Sequence, residues 1–208
     1  MSFSLSKSKY NKHMKELVIA AYDRDYSWVK LLNPDIKVTV YRKGPNELLE
    51  DEILVEPNLG RDVHTFFNHL YTQYDTLADV TFFSQDFPFD HVSNYVELIN
   101  GTEALWNIHA KQSTDGCWFF CTQYGVITCD RNGAPHHPGL DLPTMWATLF
   151  DTDCPDTISF TPTGHFAITK DHARKIPKEF YKHTLNILET QETSPWEIER
   201  LEPYIFLR

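Results

Sequence analysis

The sequence predicts an α/β fold: a mixed, mostly parallel sheet with helices on both faces. Three observations carry this. Short apolar runs recur along the first half as near-continuous blocks, the pattern of strands covered on both faces. Stretches with helical spacing lie between them. Three of the runs also break off into polar clusters, as strands do in open α/β sheets whose ligands sit beyond the carboxyl ends.

The elements follow in order. The start, MSFSLSKSKYNKHMKE, is polar and basic and lacks the apolar core of a signal peptide. Residues 1–15 are therefore expected to be a flexible leader, and residues 16–208 a single domain. ELVIAAYDRD (16–25) predicts a buried strand over 17–21 that stops at Tyr22-Asp23-Arg24-Asp25. KVTVYRKG (37–44) predicts a second over 38–41, ended by Gly44-Pro45, and DEILVEPN (51–58) a third over 52–56. Val63, Phe66, Phe67, Leu70, Tyr71 and Tyr74 then recur on one face of a helix opening after Gly60. ADVTFFSQD (78–86) predicts a fourth strand over 79–84, which with the first should be central. HVSNYVELIN (91–100) reads as a helix ended by Gly101.

The second half is less regular. GCWFFCTQYGVITCD (116–130) reads as one or two strands, RNGAPHHPGLDLP as a loop and TMWATLF as a short helix. TISFTPTGHFAITK (157–170) reads as strand, turn at Gly164, strand. KEFYKHTLNILETQ predicts an amphipathic helix with Phe180, Leu185 and Leu188 inward. SPWEIERLEPYIFLR closes as a helix with Ser194 as N-cap and Pro195 at its first position.

Composition narrows the function classes. With 19 basic and 29 acidic residues the formal charge is −10, and no basic stripe marks a nucleic-acid groove. No apolar run approaches the roughly 18 to 20 residues of a membrane span, so a cytoplasmic location is expected. Aromatic residues at 14% point to a densely packed core or a cleft lined with rings. Cys117, Cys121, Cys129 and Cys154, with His136 and His137 nearby, raise the question of zinc. Cys117 and Cys121 flank WFF in a strand-like stretch, not a tight knuckle, and buried free thiols in a reducing compartment are expected instead.

Chemistry gathers at the strand ends. The helix after Gly60 offers free backbone N–H groups and a positive dipole end, an anion site in waiting. Gly60 permits close backbone approach, Arg61 suits a bidentate phosphate contact, and Asp62 suits either a cap or a ribose hydroxyl. A plain helix start, with Asp62 as cap and Arg61 solvated, is the alternative. In SQDFPFDH (84–91), Asp86, Asp90 and His91 have the chemistry to bind a divalent cation, position a sugar or act as a base; Asp90 is equally placed to cap a helix. His136 and His137 sit in a proline-bracketed loop that could line a cleft. Gly164 and His165 stand at a strand start, where a tight turn would also explain them. Glu199 and Arg200 fit either a site or a surface pair.

At these residues the chain resembles a known family. VIAAYDRDYSWV, EPNLGRDVHTFFNHLYTQYDTLADVTFFSQDFPFDH, GAPHHPGL, GHFAITKDHARKIPKEFYKHTL and PWEIERLEPYIF occur in the same order in the family known as domain of unknown function 3431. That family in turn is similar to GT-A-type glycosyltransferases of the rhamnan-synthesis kind, which carry a similar N-x-GRD before a helix and a following Y-D. Asn58, Gly60, Arg61, Asp62, Tyr74 and Asp75 match that pattern. The resemblance implies a Rossmann-like GT-A fold that moves a sugar from a nucleotide-sugar donor to a hydroxyl acceptor. It implies that Tyr22, Arg24 and Asp25 face base and ribose, and that Gln85 and Asp86 sit near diphosphate or sugar.

The candidate donor set is therefore Tyr22, Arg24, Asp25, Asn58, Gly60, Arg61, Asp62, Gln85 and Asp86. Asp90 and His91 are the candidate catalytic bases. His64, His136, His137, Gly164, His165, Glu199 and Arg200 complete the candidate substrate contacts. Asp86 is the expected ligand of a weak, nucleotide-dependent Mg²⁺ or Mn²⁺. Two departures stand out: Gln85-Asp86 replaces the metal-binding Asp-x-Asp of many such transferases, and little chain remains for an acceptor domain. The rival reading is a non-catalytic nucleotide- or carbohydrate-binding protein. A metal-dependent hydrolase using His64, His91, His136 and His137 ranks below it, since no His-x-His or His-Glu-x-x-His pattern occurs.

Overall fold

The computed structural model describes residues 14–132, 137, 139–162 and 164–208. The expected leader lies outside them except for Met14 and Lys15, and Lys15 already opens the first strand. The parallel half of the sheet comes from β1 (Lys15–Ala21), β2 (Lys37–Arg42), β3 (Glu52–Leu54) and β4 (Val80–Gln85), with α1 (Arg61–Thr72) crossing from β3 to β4. There follow α2 (Tyr95–Asn100), α3 (Glu103–His109), β5 (Gln112–Thr114), β6 (Cys117–Phe119), β7 (Ile127–Asp130) and α4 (Leu142–Leu149). The chain continues through β8 (Thr157–Phe160), β9 (Phe166–Thr169), α5 (Lys170–Ala173), α6 (Lys178–Thr190) and α7 (Ser194–Phe206).

The result is an α/β fold on a seven-stranded mixed sheet of order β3-β2-β1-β4-β9-β6-β5, with β7 and β8 paired separately. β1 runs parallel to both β2 and β4, and β3 parallel to β2, whereas β9 runs antiparallel to its neighbours β4 and β6. β1 and β4 are central, as predicted. Along β1, Leu17 and Ile19 pack with Tyr95, Leu98 and Trp106 of α2 and α3, while Val18 and Ala20 pack with α1, α6 and α7. An unbroken apolar run thus serves two layers of helix, which is why it could not alternate.

The aromatic content goes into the core. Phe83 of β4 stacks on Phe166 of β9 at 4.7 Å, and Phe166 stacks in turn on Phe119 of β6 and Phe206 of α7. Each such ring pair adds about 0.5–1.5 kcal/mol beyond its burial.

Three expectations need correction. Residues 157–170 form two strands but not a hairpin. β8 alternates exposed and buried residues and pairs with β7, whereas Phe166, Ala167 and Ile168 are all buried and belong inside the main sheet. The helix expected over 91–100 begins only at Tyr95, because the His91 carbonyl accepts from the Thr122 and Gln123 N–H groups and cannot serve a helical turn. Ser194 is the first residue of α7 and not its cap; its hydroxyl donates back to the Gln191 carbonyl at 2.6 Å. Residues 103–109 and 112–114, for which the sequence offered no pattern, form α3 and β5.

Cys117, Cys121 and Cys129 are buried free thiols, and Cys154 is half-buried and free. Among the described residues no helix is long and apolar enough to cross a membrane.

Candidate functional site

The end of β1 is held from two sides. Asp86, just past β4, is buried, and its Oδ2 accepts from the backbone N–H of Tyr22 at 2.9 Å and of Arg24 at 3.0 Å. Its carbonyl accepts from the Trp28 indole at 2.7 Å. On the other side Arg42 of β2 donates to the Tyr22 carbonyl at 3.0 Å while its guanidinium grips the buried Glu52 of β3. Gly44 passes so close that a Cβ there would sit 1.7 Å from the Tyr22 oxygen.

The entry to α1 is the second wall. Gly60 and Arg61 both take positive φ, 64° and 53°. Glycine adopts that conformation without strain, but arginine does not. Two contacts hold Arg61 there. Lys43 Nζ donates to the carbonyls of Leu59 at 2.5 Å and Arg61 at 2.7 Å, and the Arg61 guanidinium lies over the Trp196 ring at 5.4 Å. The helix start carries no side-chain cap. Asp62 Oδ2 accepts from Gln85 Nε2 at 2.7 Å, tying α1 to the end of β4. The plain helix start is therefore partly what forms: Arg61 is exposed and Asp62 Oδ1 accepts from the Val63 N–H at 3.1 Å, but Asp62 also binds Gln85 and Arg61 covers a ring.

Between these walls lies a cleft of about 370 Å³, lined by Tyr22, Lys43, Asn58, Arg61, Asp62, Gln85 and Asp86 over the backbone of Ala20 and Ala21. Six of the nine residues expected at a donor site are its lining, and Gly60 precedes one of them, Arg61, at the start of α1.

Arg24, Asp25, Asp90 and His91 do not line it. Asp25 turns both oxygens onto Ser27, at 2.8 and 2.7 Å, and is held below its ordinary pKa by that contact. Arg24 pairs with Asp90 at 2.5 Å and covers the Phe87 ring at 4.3 Å. The Arg24 hydrogen bond lowers the Asp90 pKa, which weakens Asp90 as a base. His91 Nδ1 meets Gln123 Oε1 at 3.0 Å. An amide oxygen only accepts, so Nδ1 carries the proton and Nε2 is left as the basic nitrogen.

The expected substrate contacts separate into groups. His137, Glu199 and Arg200 do meet, with Tyr124, Cys129 and Phe160, around a second cleft of about 260 Å³. Arg200 is buried there over the Phe160 ring at 5.0 Å, with Glu199 at 3.8 Å, so this is no surface pair. Trp196 joins the two clefts, since its ring also stacks on His137 at 4.9 Å. Gly164 lies beside α1, where a Cβ would come 3.0 Å from the Phe66 ring and 3.6 Å from Asp62 Oδ2. His64 is buried against Glu189 at 3.2 Å, and burial lowers its pKa. His165 is 1% exposed with no partner on either ring nitrogen; burial drives its pKa down to about 3. It is a core residue, not a surface for substrate. His136 lies outside the described residues.

Three residues escaped sequence reasoning. Lys43 ends the one early strand whose polar tail, RKG, was read only as a stop. Trp196 stood only within the PWEIERLEPYIF block, with no role read for it. Glu202 is fully buried with neither oxygen partnered, and burial, then Glu199 and Asp62, push its pKa well up. Its spacing from Ile198 and Ile205 is the signal that it faces inward.

For a metal the fit is poor. Among the described residues no group of three or more His, Cys, Asp or Glu side chains could hold an ion, so the zinc and hydrolase readings have no site there. Asp86 alone faces the first cleft from a strand end, with Oδ2 already committed to two backbone donors.

No curated protein and no solved structure matches the chain. One family does, over residues 17–206, which is nearly the whole described fold: the chain belongs to the family described as Protein of unknown function (DUF3431).

Proposed function

We propose that the first cleft holds the diphosphate of a nucleotide-sugar donor and that the protein transfers the sugar to a hydroxyl acceptor on a GT-A-like fold. The observation that supports this most is the convergence of Tyr22, Asn58, Arg61, Asp62, Gln85 and Asp86 at the carboxyl edge of β1 and β4, beside an uncapped helix start. Ligands of open α/β sheets lie at such an edge, and first-turn N–H groups with an arginine suit a phosphate. Arg61 and the α1 dipole would then stabilise the departing diphosphate, and no step requires a protein-built metal site. A nucleotide-dependent Mg²⁺ or Mn²⁺ would be held chiefly by phosphate oxygens, with Asp86 as the strand-end carboxylate beside it.

Acceptor and base belong on the Trp196 side. The second cleft offers rings and an Arg–Glu pair suited to a hydroxyl-rich ligand. His91, whose ring lies 6.0 Å from Tyr124 of that cleft, has its Nε2 available as the base. Asp90 is the poorer candidate because Arg24 occupies it.

The rival, a binding protein without activity, is favoured by one observation: the carboxylates at the strand ends are engaged by the protein itself. A thermal-shift panel of nucleotide sugars, with and without Mn²⁺, followed by release of free nucleoside diphosphate, separates the two. Binding with release supports the transferase, binding without release the rival, and no binding removes both.

A further inference from the structure

We propose that Lys43 supplies the buried positive charge that receives a phosphate in the first cleft, and that the phosphate docks together with a proton. This deepens the nucleotide reading and rests on it. Lys43 is 7% exposed and lines the cleft. Two of its ammonium protons go to the Leu59 and Arg61 carbonyls, which leaves one N–H for a ligand. Those carbonyls bracket the left-handed turn into α1, so the amine is fixed beside the first free amides of the helix.

What Lys43 lacks is a counter-charge. Among the described residues no carboxylate forms an ion pair with it; Asp62 of α1 and Glu189 of α6 act from further away. His64, also of α1, is turned to Glu189, and burial and the Lys43 charge both favour its neutral form. Arg61 adds a second positive charge on the lining. Burial therefore dominates, and the Lys43 pKa falls from 10.5 to about 8 despite the two carboxylates. A phosphate at the remaining N–H supplies the missing anion and favours the ammonium, so a fraction of the molecules must take up a proton to bind it. Sequence spacing alone pointed to Arg61; the buried, unpaired amine behind it points to a site with two cations.

Isothermal titration of the wild-type protein with ADP, GDP, UDP and CDP, in buffers of different ionisation enthalpy, tests this. Measurements at pH 7.5 and 8.5 avoid the terminal phosphate, whose second pKa is about 6. Uptake should rise from about a quarter of a proton at pH 7.5 to about three quarters at pH 8.5, and affinity should fall about threefold between them. Lys43→Arg should bind without the uptake, and Lys43→Met should lose about tenfold or more in affinity at pH 7.5 together with the pH dependence. A diphosphate that binds with no proton uptake and a flat pH profile overturns the proposal, leaves the nucleotide reading standing, and makes Lys43 a strap for the Leu59–Arg61 turn. If none of the four binds, both fall. The wild-type titration decides the matter even if Lys43→Met does not fold.

Discussion

Glu52→Gln tests how the floor of the first cleft is held. Glu52 is 9% exposed and accepts from Arg42 Nε at 3.1 Å, Arg42 Nη2, Tyr26 Oη at 2.5 Å and the Leu49 N–H at 2.9 Å. Burial alone would raise its pKa, yet Arg42, Leu49 and Tyr26 outweigh burial and hold it at about 2 against an ordinary 4.5. At 1.36 kcal/mol per unit, that difference is about 3 kcal/mol of stability, the scale of breaking a buried pair. The carboxyl pKa is depressed in the folded state, so the stability is present above pH 4.5 and is lost as pH falls toward 2. Urea unfolding at pH 7 should therefore show the variant weaker by about 3 kcal/mol, and the two proteins should converge toward pH 2. The Tyr22 carbonyl should loosen as well, since Arg42 loses its anchor. Equal stability at pH 7, or a gap unchanged at pH 2.5, would refute the reasoning.

Arg61→Ala should cut nucleotide-sugar affinity by about ten- to more than a hundredfold, for a charge-assisted contact worth roughly 1.5–3 kcal/mol. Its melting temperature should barely move, because an exposed cation over a ring is worth only about 0.5–1 kcal/mol; lost stability with unchanged affinity would make Arg61 structural. Asp86→Asn replaces a charged acceptor of two backbone N–H groups, and should cost about 1–3 kcal/mol in denaturant unfolding as well as ligand affinity; no change in stability would mean Asp86 does not hold the β1 end. Acid sensitivity should come from His69 and His165, buried with pKa values down at about 4 and about 3. Between pH 6 and pH 5 the unfolded chain binds their protons almost alone, so stability should fall over that interval by about 2.4 kcal/mol. A flat profile there, or one unaltered by replacing both histidines, counts against it.

The parallel half was legible because its signals are local and agree. Apolar runs, Gly60 before an amphipathic stretch, and polar tails at Tyr22, Asn58 and Gln85 all point to one sheet edge, and the cleft forms there. What was hidden depends on partners far away in the chain. Nothing around Asp90 reveals that Arg24 occupies it, and nothing in PTGHFAITK says that His165 is sealed in the core or that β9 leaves β8 for β4. Lys43 was overlooked because a lysine before Gly-Pro looks solvated. Only the carbonyls of Leu59 and Arg61 draw it inward.

The placement of β9 beside β6 bears on how this architecture can vary. The stretch between Phe119 and Phe166 leaves the sheet from β6 and re-enters it at the adjacent β9, so its ends are pinned together by the β6–β9 ladder. Closing a flexible loop costs only slowly more as it lengthens, about 0.6 kcal/mol for each doubling. Loops within it can therefore lengthen without unfolding the parallel half and its cleft. That same stretch supplies Tyr124, Cys129, His137 and Phe160 to the second cleft. Among relatives, length differences should concentrate between β6 and β9, and with them differences in the second cleft, while the first cleft stays constant.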